Sequence, residues 1–199
     1  MSDRWFEGAA ALVAALLFFP VDVVFAADQQ AIRPKAQACF ACHGAEGNSS
    51  NPAVPSIAGQ PSQFIATALF FFRQGDRKDA QMTSMAKGLS NADMNDLAAY
   101  FSAQKALPPQ HKTRPDNAKA GPDLAKKFNC TQCHGPRLQG QQHIPRLAGQ
   151  QFEYLRTQLK GFKAGTQADT DGNMTSAAQA LSEKDIEVLV DYIAGLGTQ

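Results

Sequence analysis

The chain has 199 residues, 44% hydrophobic and 19% charged, and 19 Lys+Arg against 18 Asp+Glu give it a formal net charge of +1. That length holds one large domain or two small ones and excludes a large barrel with accessory domains. The composition fits neither a disordered chain nor a multispan membrane protein. With balanced charge and no basic run there is no field to attract nucleic acid, so none is expected as a partner.

In chain order the first element reads as an export signal. Residues 9–19 form an unbroken apolar run of 11, which suits a signal core and is too short to cross a bilayer; Pro20 and Asp22 then interrupt it. Val24-Phe25-Ala26 offers small or modest side chains to a signal peptidase, so residues 1–26 are read as a signal peptide cut after Ala26. Residues 1–8 fit less well, because Asp3 and Glu7 outweigh Arg4.

Next comes Cys39-Phe40-Ala41-Cys42-His43, then a helix whose apolar face is Phe64, Ile65, Ala68, Leu69 and Phe72, stopped by Gly75. A Met82-Thr83-Ser84 loop leads to a last helix. Ser90 with Asp93 looks like a capping box there, Leu89 and Met94 like a hydrophobic staple, and Leu97, Ala98 and Phe101 continue the buried face. A polar, Pro-rich linker follows at residues 107–115. The same order then recurs: Cys130-Thr131-Gln132-Cys133-His134, a helix with Tyr154, Leu155, Leu159 and Phe162 ending at Gly165, Met174-Thr175-Ser176, and a helix capped by Ser182 and Asp185. Pro55-Ser56-Ile57-Ala58-Gly59-Gln60 is echoed by Pro145-Arg146-Leu147-Ala148-Gly149-Gln150 at an offset of 90, and the Cys/His segments lie 91 apart. A period that long is a duplicated domain rather than a solenoid repeat. No strand-like alternation of useful length occurs. The fold class is therefore all-α, with domain 1 at residues 27–105, a linker at 106–117 and domain 2 at 118–199.

Domains of this size have thin cores, and the Cys/His segments indicate what fills them. Cys-x-x-Cys-His is the attachment signature of c-type haem. The spacing lets two thiols add across the two vinyl groups of one porphyrin and sets the adjacent histidine beneath the iron. Cys39 and Cys42 with His43, and Cys130 and Cys133 with His134, are thus assigned to two covalently bound haems. A zinc site would require Cys pairs 91 residues apart to meet, a thioredoxin-like pair lacks its βαβ setting, and a structural disulfide leaves both histidines unexplained. Met or His usually supplies the sixth ligand of a low-spin carrier. Met174 is the only methionine of the second half, and Met82 is its counterpart across the repeat. Met85 aligns with Ala177 and is held in reserve; Met94 aligns with Ile186 on a buried face and is read as core filler. Pro55 and Pro145 are candidates for the carbonyl that accepts the other ring N–H of each histidine. His111 and His143 have no counterparts and are read as solvated loop residues.

These features resemble the dihaem cytochrome c4 family, two class I cytochrome c domains in tandem. The carriers are Ala41-Cys42-His43-Gly44, both Ala-Gly-Gln segments, both Met-Thr-Ser segments, and Leu97-Ala98-Ala99-Tyr100-Phe101 with its echo Leu189-Val190-Asp191-Tyr192-Ile193. The resemblance covers roughly residues 31–197 and implies His43, Met82, His134 and Met174 as axial iron ligands, haems packed near the domain interface, and export to the bacterial periplasm. It implies an electron carrier, not an enzyme. Electrons would pass from a quinol-oxidising complex or dehydrogenase to a terminal oxidase or reductase, with peripheral membrane association compatible. The alternatives are the dihaem electron-accepting subunit of a sulfide, thiosulfate or alcohol dehydrogenase, and a dihaem peroxidase-like enzyme. One departure is expected to matter. Gly121 can serve as the small residue where the first and last helices cross in domain 2, whereas Ile32-Arg33-Pro34-Lys35 has no glycine and favours a short or kinked first helix in domain 1.

Overall fold

The computed structural model describes residues 22–167, 169 and 171–198. Most of the expected signal segment, residues 1–21, lies outside the described residues. Among the described helices none is long and apolar enough to cross a membrane.

The first half comprises α1 (Asp22–His43), a short 3-10 turn at Ala45–Gly47, α2 (Ser62–Gln74), α3 (Ala80–Ala86) and α4 (Asn91–Ala103). The second comprises α5 (Pro115–Lys127), α6 (Cys130–His134), α7 (Phe152–Lys163), α8 (Asn173–Gln179) and α9 (Glu183–Ala194). The described residues contain no strand beyond an isolated bridge between Gln141 and Ile144. In each half the first helix packs on the last (α1 on α4, α5 on α9), and the longer middle helix does the same (α2 on α4, α7 on α9).

The local chemistry explains where these helices begin and end. Both expected capping boxes form: Ser90 Oγ accepts from Asp93 N and Ser182 Oγ from Asp185 N, each at 3.1 Å, while the Asp side chains accept in return from the serine amides. Gly75, at φ 82°, ends α2 in a left-handed cap.

α1 corrects the expectation for its region. It runs as one helix through Pro34 to His43. Ala36, fully buried, is the small residue that meets α4, clustering with Leu97, Ala98, Tyr100 and Phe101. In domain 2 the equivalent path is broken. α5 stops at Lys127, Asn129 turns left-handed at φ 59°, and the Cys/His segment restarts as α6. Gly121 is buried where α5 meets α9, and a Cβ there would sit 2.2 Å from Tyr192 Cγ.

Each half has its own core. Ile65 and Phe101 anchor the first, with Phe40 against Tyr100 and Phe101; Leu138, Leu155, Ile186, Leu189, Val190 and Ile193 make the second. The halves meet along the two Ala-Gly-Gln segments.

Candidate functional site

His43 closes α1 and His134 closes α6, and both are buried, at 7% and 3% exposure. The glycine after each is required: Gly44 and Gly135 have φ of 77° and 83°, and a Cβ on Gly44 would lie 2.0 Å from Asn48 O. These turns let the chain leave the histidine and double back, bringing Pro55 O to 2.8 Å from His43 Nδ1 and Pro145 O to 2.8 Å from His134 Nδ1.

A carbonyl can only accept, so Nδ1 carries the proton in both rings. In the neutral imidazole Nε2 then keeps its lone pair. Burial lowers the pKa of both histidines. It outweighs the raising effect of the proline carbonyls and, for His43, of the Asp79 carboxylate. Neutral rings with an oriented free nitrogen are what a metal requires of a histidine ligand.

None of the four cysteines forms a disulfide; Cys39 and Cys130 are half-buried, Cys42 and Cys133 exposed. Burial raises the Cys39 and Cys130 pKa values, with a further push from the neighbouring thiol of each pair. No group of three or more His, Cys, Asp or Glu among the described residues could hold a metal ion by itself, which leaves zinc without a ligand set. Two cysteines outside any disulfide and an oriented imidazole at the end of a helix, present in each half, fit covalently held haem c.

The Met-Thr-Ser segments were expected as loops and are helices instead. Met82 lies in α3 and Met174 in α8, both half-buried, whereas Met85 is 44% exposed and Met94 buried. An aspartate ahead of each bonds its first turn, Asp79 as the N-cap of α3 and Asp169 from outside the Gly172 cap of α8. Asp79 Oδ1 accepts from Met82 N at 2.9 Å; Asp169 accepts from Met174 N at 2.5 Å and from Thr175 Oγ1 at 3.1 Å. Asp79 also acts electrostatically on His43, so the start of α3 lies near that ring.

His111 is not a solvated residue. Its Nε2 lies 2.8 Å from Asp191 Oδ1, and its ring stacks on Phe152 at 4.6 Å. Asp191, 3% exposed on α9, also accepts from Asn117 Nδ2 at 2.8 Å and Arg114 N at 3.0 Å, fastening the linker to domain 2. His143 is half-buried.

Sequence reasoning noticed the Ala-Gly-Gln repeats without seeing their purpose. They make a pseudo-twofold clamp between the halves. Gln60 Nε2 donates to Arg146 O and Gln60 Oε1 accepts from Arg146 N, both at 2.9 Å. Gln150 does the same to Ser56, accepting from its N at 2.7 Å and donating to its O at 2.9 Å. Ser56 and Arg146 follow Pro55 and Pro145, so each clamp grips the residue next to a histidine's acceptor. Arg77 adds a side contact, donating to Tyr154 Oη at 2.8 Å and Gln158 Oε1 at 3.2 Å. The repeat itself was the available signal: a glutamine repeated in register with a proline, in a chain whose halves must meet.

The sequence model of the family described as Cytochrome c matches residues 33–105 and 118–197. Cytochrome c4 of Azotobacter vinelandii is 36% identical over 189 residues, spanning 86% of this chain and 90% of that protein. The thiosulfate dehydrogenase electron acceptor of Thiomonas intermedia is 35% identical over 176 residues, 81% of this chain and 79% of that one. The crystal structure of reduced cytochrome c4 from Pseudomonas stutzeri aligns with a TM-score of 0.77 at 36% identity, covering 84% of this chain and 98% of that one.

Proposed function

This chain belongs to the cytochrome c family, as a dihaem electron carrier of the cytochrome c4 kind, and from that premise we propose that it shuttles single electrons between redox proteins of the bacterial periplasm. We propose His43 and Met82 as the axial iron ligands of the first half and His134 and Met174 as those of the second, with thioether bonds from Cys39, Cys42, Cys130 and Cys133. When bound, haem c supplies one-electron exchange between ferric and ferrous iron.

The residues do the rest. Pro55 and Pro145 hold each imidazole in one tautomer and one orientation, raising its basicity as a ligand. Asp79 and Asp169 brace the segments that present the methionine sulfurs. The Gln60 and Gln150 clamps hold the two histidine loops back to back across the seam. With a histidine and a methionine held ready for each iron, no coordination position would be left for a substrate, which supports transfer rather than bond chemistry. Donors and acceptors would be a quinol-oxidising complex or dehydrogenase on one side and a terminal oxidase or reductase on the other.

The observation that carries this reading is the paired histidine-to-proline hydrogen bond, which readies one nitrogen in each half for iron. The test is spectroscopic. Ferric holoprotein is expected to show the near-infrared sulfur-to-iron charge-transfer band for both haems. Met82→Ala should abolish half of it and let cyanide bind there, while Met85→Ala leaves it intact. A full band in Met82→Ala overturns the ligand assignment.

A second reading is favoured by the Thiomonas intermedia relative, whose name makes it the electron acceptor of a thiosulfate dehydrogenase. On that reading the chain works bound to one catalytic partner, and it would co-purify with that enzyme from native extract.

A further inference from the structure

The two halves differ at the corner where the Cys/His segment meets the last helix. In domain 1 the space beside Tyr100 is filled from within. The Phe40 ring packs 6.3 Å from the Tyr100 ring and 6.1 Å from that of Phe101. Glu46 accepts from Tyr100 Oη and pairs with Arg33 Nη2 at 2.6 Å. Tyr100 ends only 3% exposed. A ring and a carboxylate complete that corner.

Domain 2 repeats the tyrosine and neither of its partners. With the Cys/His segments 91 apart, Thr131 stands where domain 1 has Phe40, and Arg137 where it has Glu46. Tyr192 corresponds to Tyr100, and its hydroxyl has no hydrogen-bond partner among the described residues. Burial raises its pKa, so the phenol keeps its proton. What remains between α5, α6 and α9 is a solvent-open cleft of about 230 Å³. Ala125, Leu138 and Leu196 give it apolar walls, and Thr131 is too short to fill it. Tyr192, Lys126 and Arg137 line it too, and no carboxylate does. Among the described residues neither Lys126 nor Arg137 forms an ion pair. No cysteine, histidine or methionine lines the cleft, so it is separate from the residues assigned to haem.

Apolar walls with a few convergent polar groups are what orient a small ligand, and two unpaired cations beside a free phenol select an anion. We propose that this cleft binds a small aromatic monocarboxylate, its ring where Phe40 lies in domain 1 and its carboxylate accepting from Tyr192 Oη and pairing with Lys126 and Arg137. The occupant is a free molecule. The cleft is smaller than the roughly 300 Å³ at which drug-sized pockets begin, which sets the ligand at one ring with a short chain.

The experiment is an NMR titration of the isotope-labelled, ferrous holoprotein with phenylacetate. Saturable binding at about millimolar concentration is expected. The shifts should fall on Ala125, Thr131, Leu138 and Tyr192 and spare Phe40 and Tyr100. Phenylacetamide, which keeps the ring without the charge, and acetate, which keeps the charge without the ring, should each bind about tenfold more weakly. Thr131→Phe gives domain 2 the ring of domain 1, in a Cys-Phe-x-Cys-His setting the first half already uses, and should abolish binding. Arg137→Glu gives Tyr192 the acceptor that Tyr100 has and should abolish it as well, whereas Arg137→Lys keeps it.

An absence of saturable shifts, shifts that fall elsewhere, equal binding of phenylacetamide, or undiminished binding by Thr131→Phe overturns the proposal. Should a variant fail to mature, the map of shifts on the unaltered holoprotein and the comparison with phenylacetamide decide the matter by themselves.

Discussion

Asp191 is the residue whose charge state matters most outside the two Cys/His sites. Burial works to raise its pKa, but hydrogen bonds from Asn117, His111 and the Arg114 amide outweigh it and hold the carboxyl below its usual range. A carboxylate with a lowered folded-state pKa stabilises the fold at every pH above its unfolded value near 3.9, and that stability disappears as pH falls through the folded value. Domain 2 is therefore expected to lose stability below about pH 4, as the linker detaches from α9. Asp191→Asn should cost about 1–3 kcal/mol at neutral pH, because donors aimed at the carboxylate lose their acceptor, and should flatten the acid limb. Urea melts of both proteins across that range check this; parallel pH profiles would remove Asp191 as the cause. The same residue shows what single-residue reading misses. His111 looked solvated because it sits in a polar, Pro-rich stretch with no repeat counterpart. Its partner is 80 positions away on α9, a pairing no local signal announces.

Among the elements, the crossing of α5 and α9 is the tightest. An alanine Cβ at position 121 would lie 2.2 to 2.6 Å from Tyr192 side-chain atoms, so Gly121→Ala must push the helices apart or swing the ring. A loss of about 1–3 kcal/mol is expected, roughly 4–8 °C in Tm per kcal/mol for a domain this size. The crossing of α1 and α4 in domain 1 should be unaffected, which separate melting of the two halves would register. This crossing was expected beforehand from the family resemblance, which puts a small residue where the first and last helices meet and finds Gly121 there. The capping boxes and the two-domain plan were legible too, because each is written in local spacing or copied across the repeat. Two element-level features were not. Pro34 suggested a short or kinked first helix, yet α1 continues through it to His43, with Ala36 buried against Leu97, Ala98, Tyr100 and Phe101. The methionine segments looked like loops because their helices span only seven residues each, too short for a periodic pattern, and their first turns are bonded by Asp79 and Asp169.

At the scale of the whole molecule, the duplication has become an interface. Each glutamine clamp satisfies a buried backbone N–H and C=O of the opposite half, and removing it leaves both unpaired at about 1–3 kcal/mol each. Gln60→Ala with Gln150→Ala should let the halves melt as two calorimetric transitions where the parent shows stronger coupling. A double variant that melts like the parent would mean the clamps do not hold the seam. The seam matters because the loops whose Pro55 and Pro145 carbonyls orient the two histidines meet there. The account as a whole rests on two saturated iron centres working as a reversible electron store. One measurement reaches that claim most directly: an anaerobic redox titration of the intact matured protein, with mass determination on the same sample. The account predicts a chain heavier by two haems that takes up two electrons reversibly in two one-electron steps and binds no cyanide at rest. A single haem, a colourless protein, or ready cyanide binding by the oxidised form would contradict it.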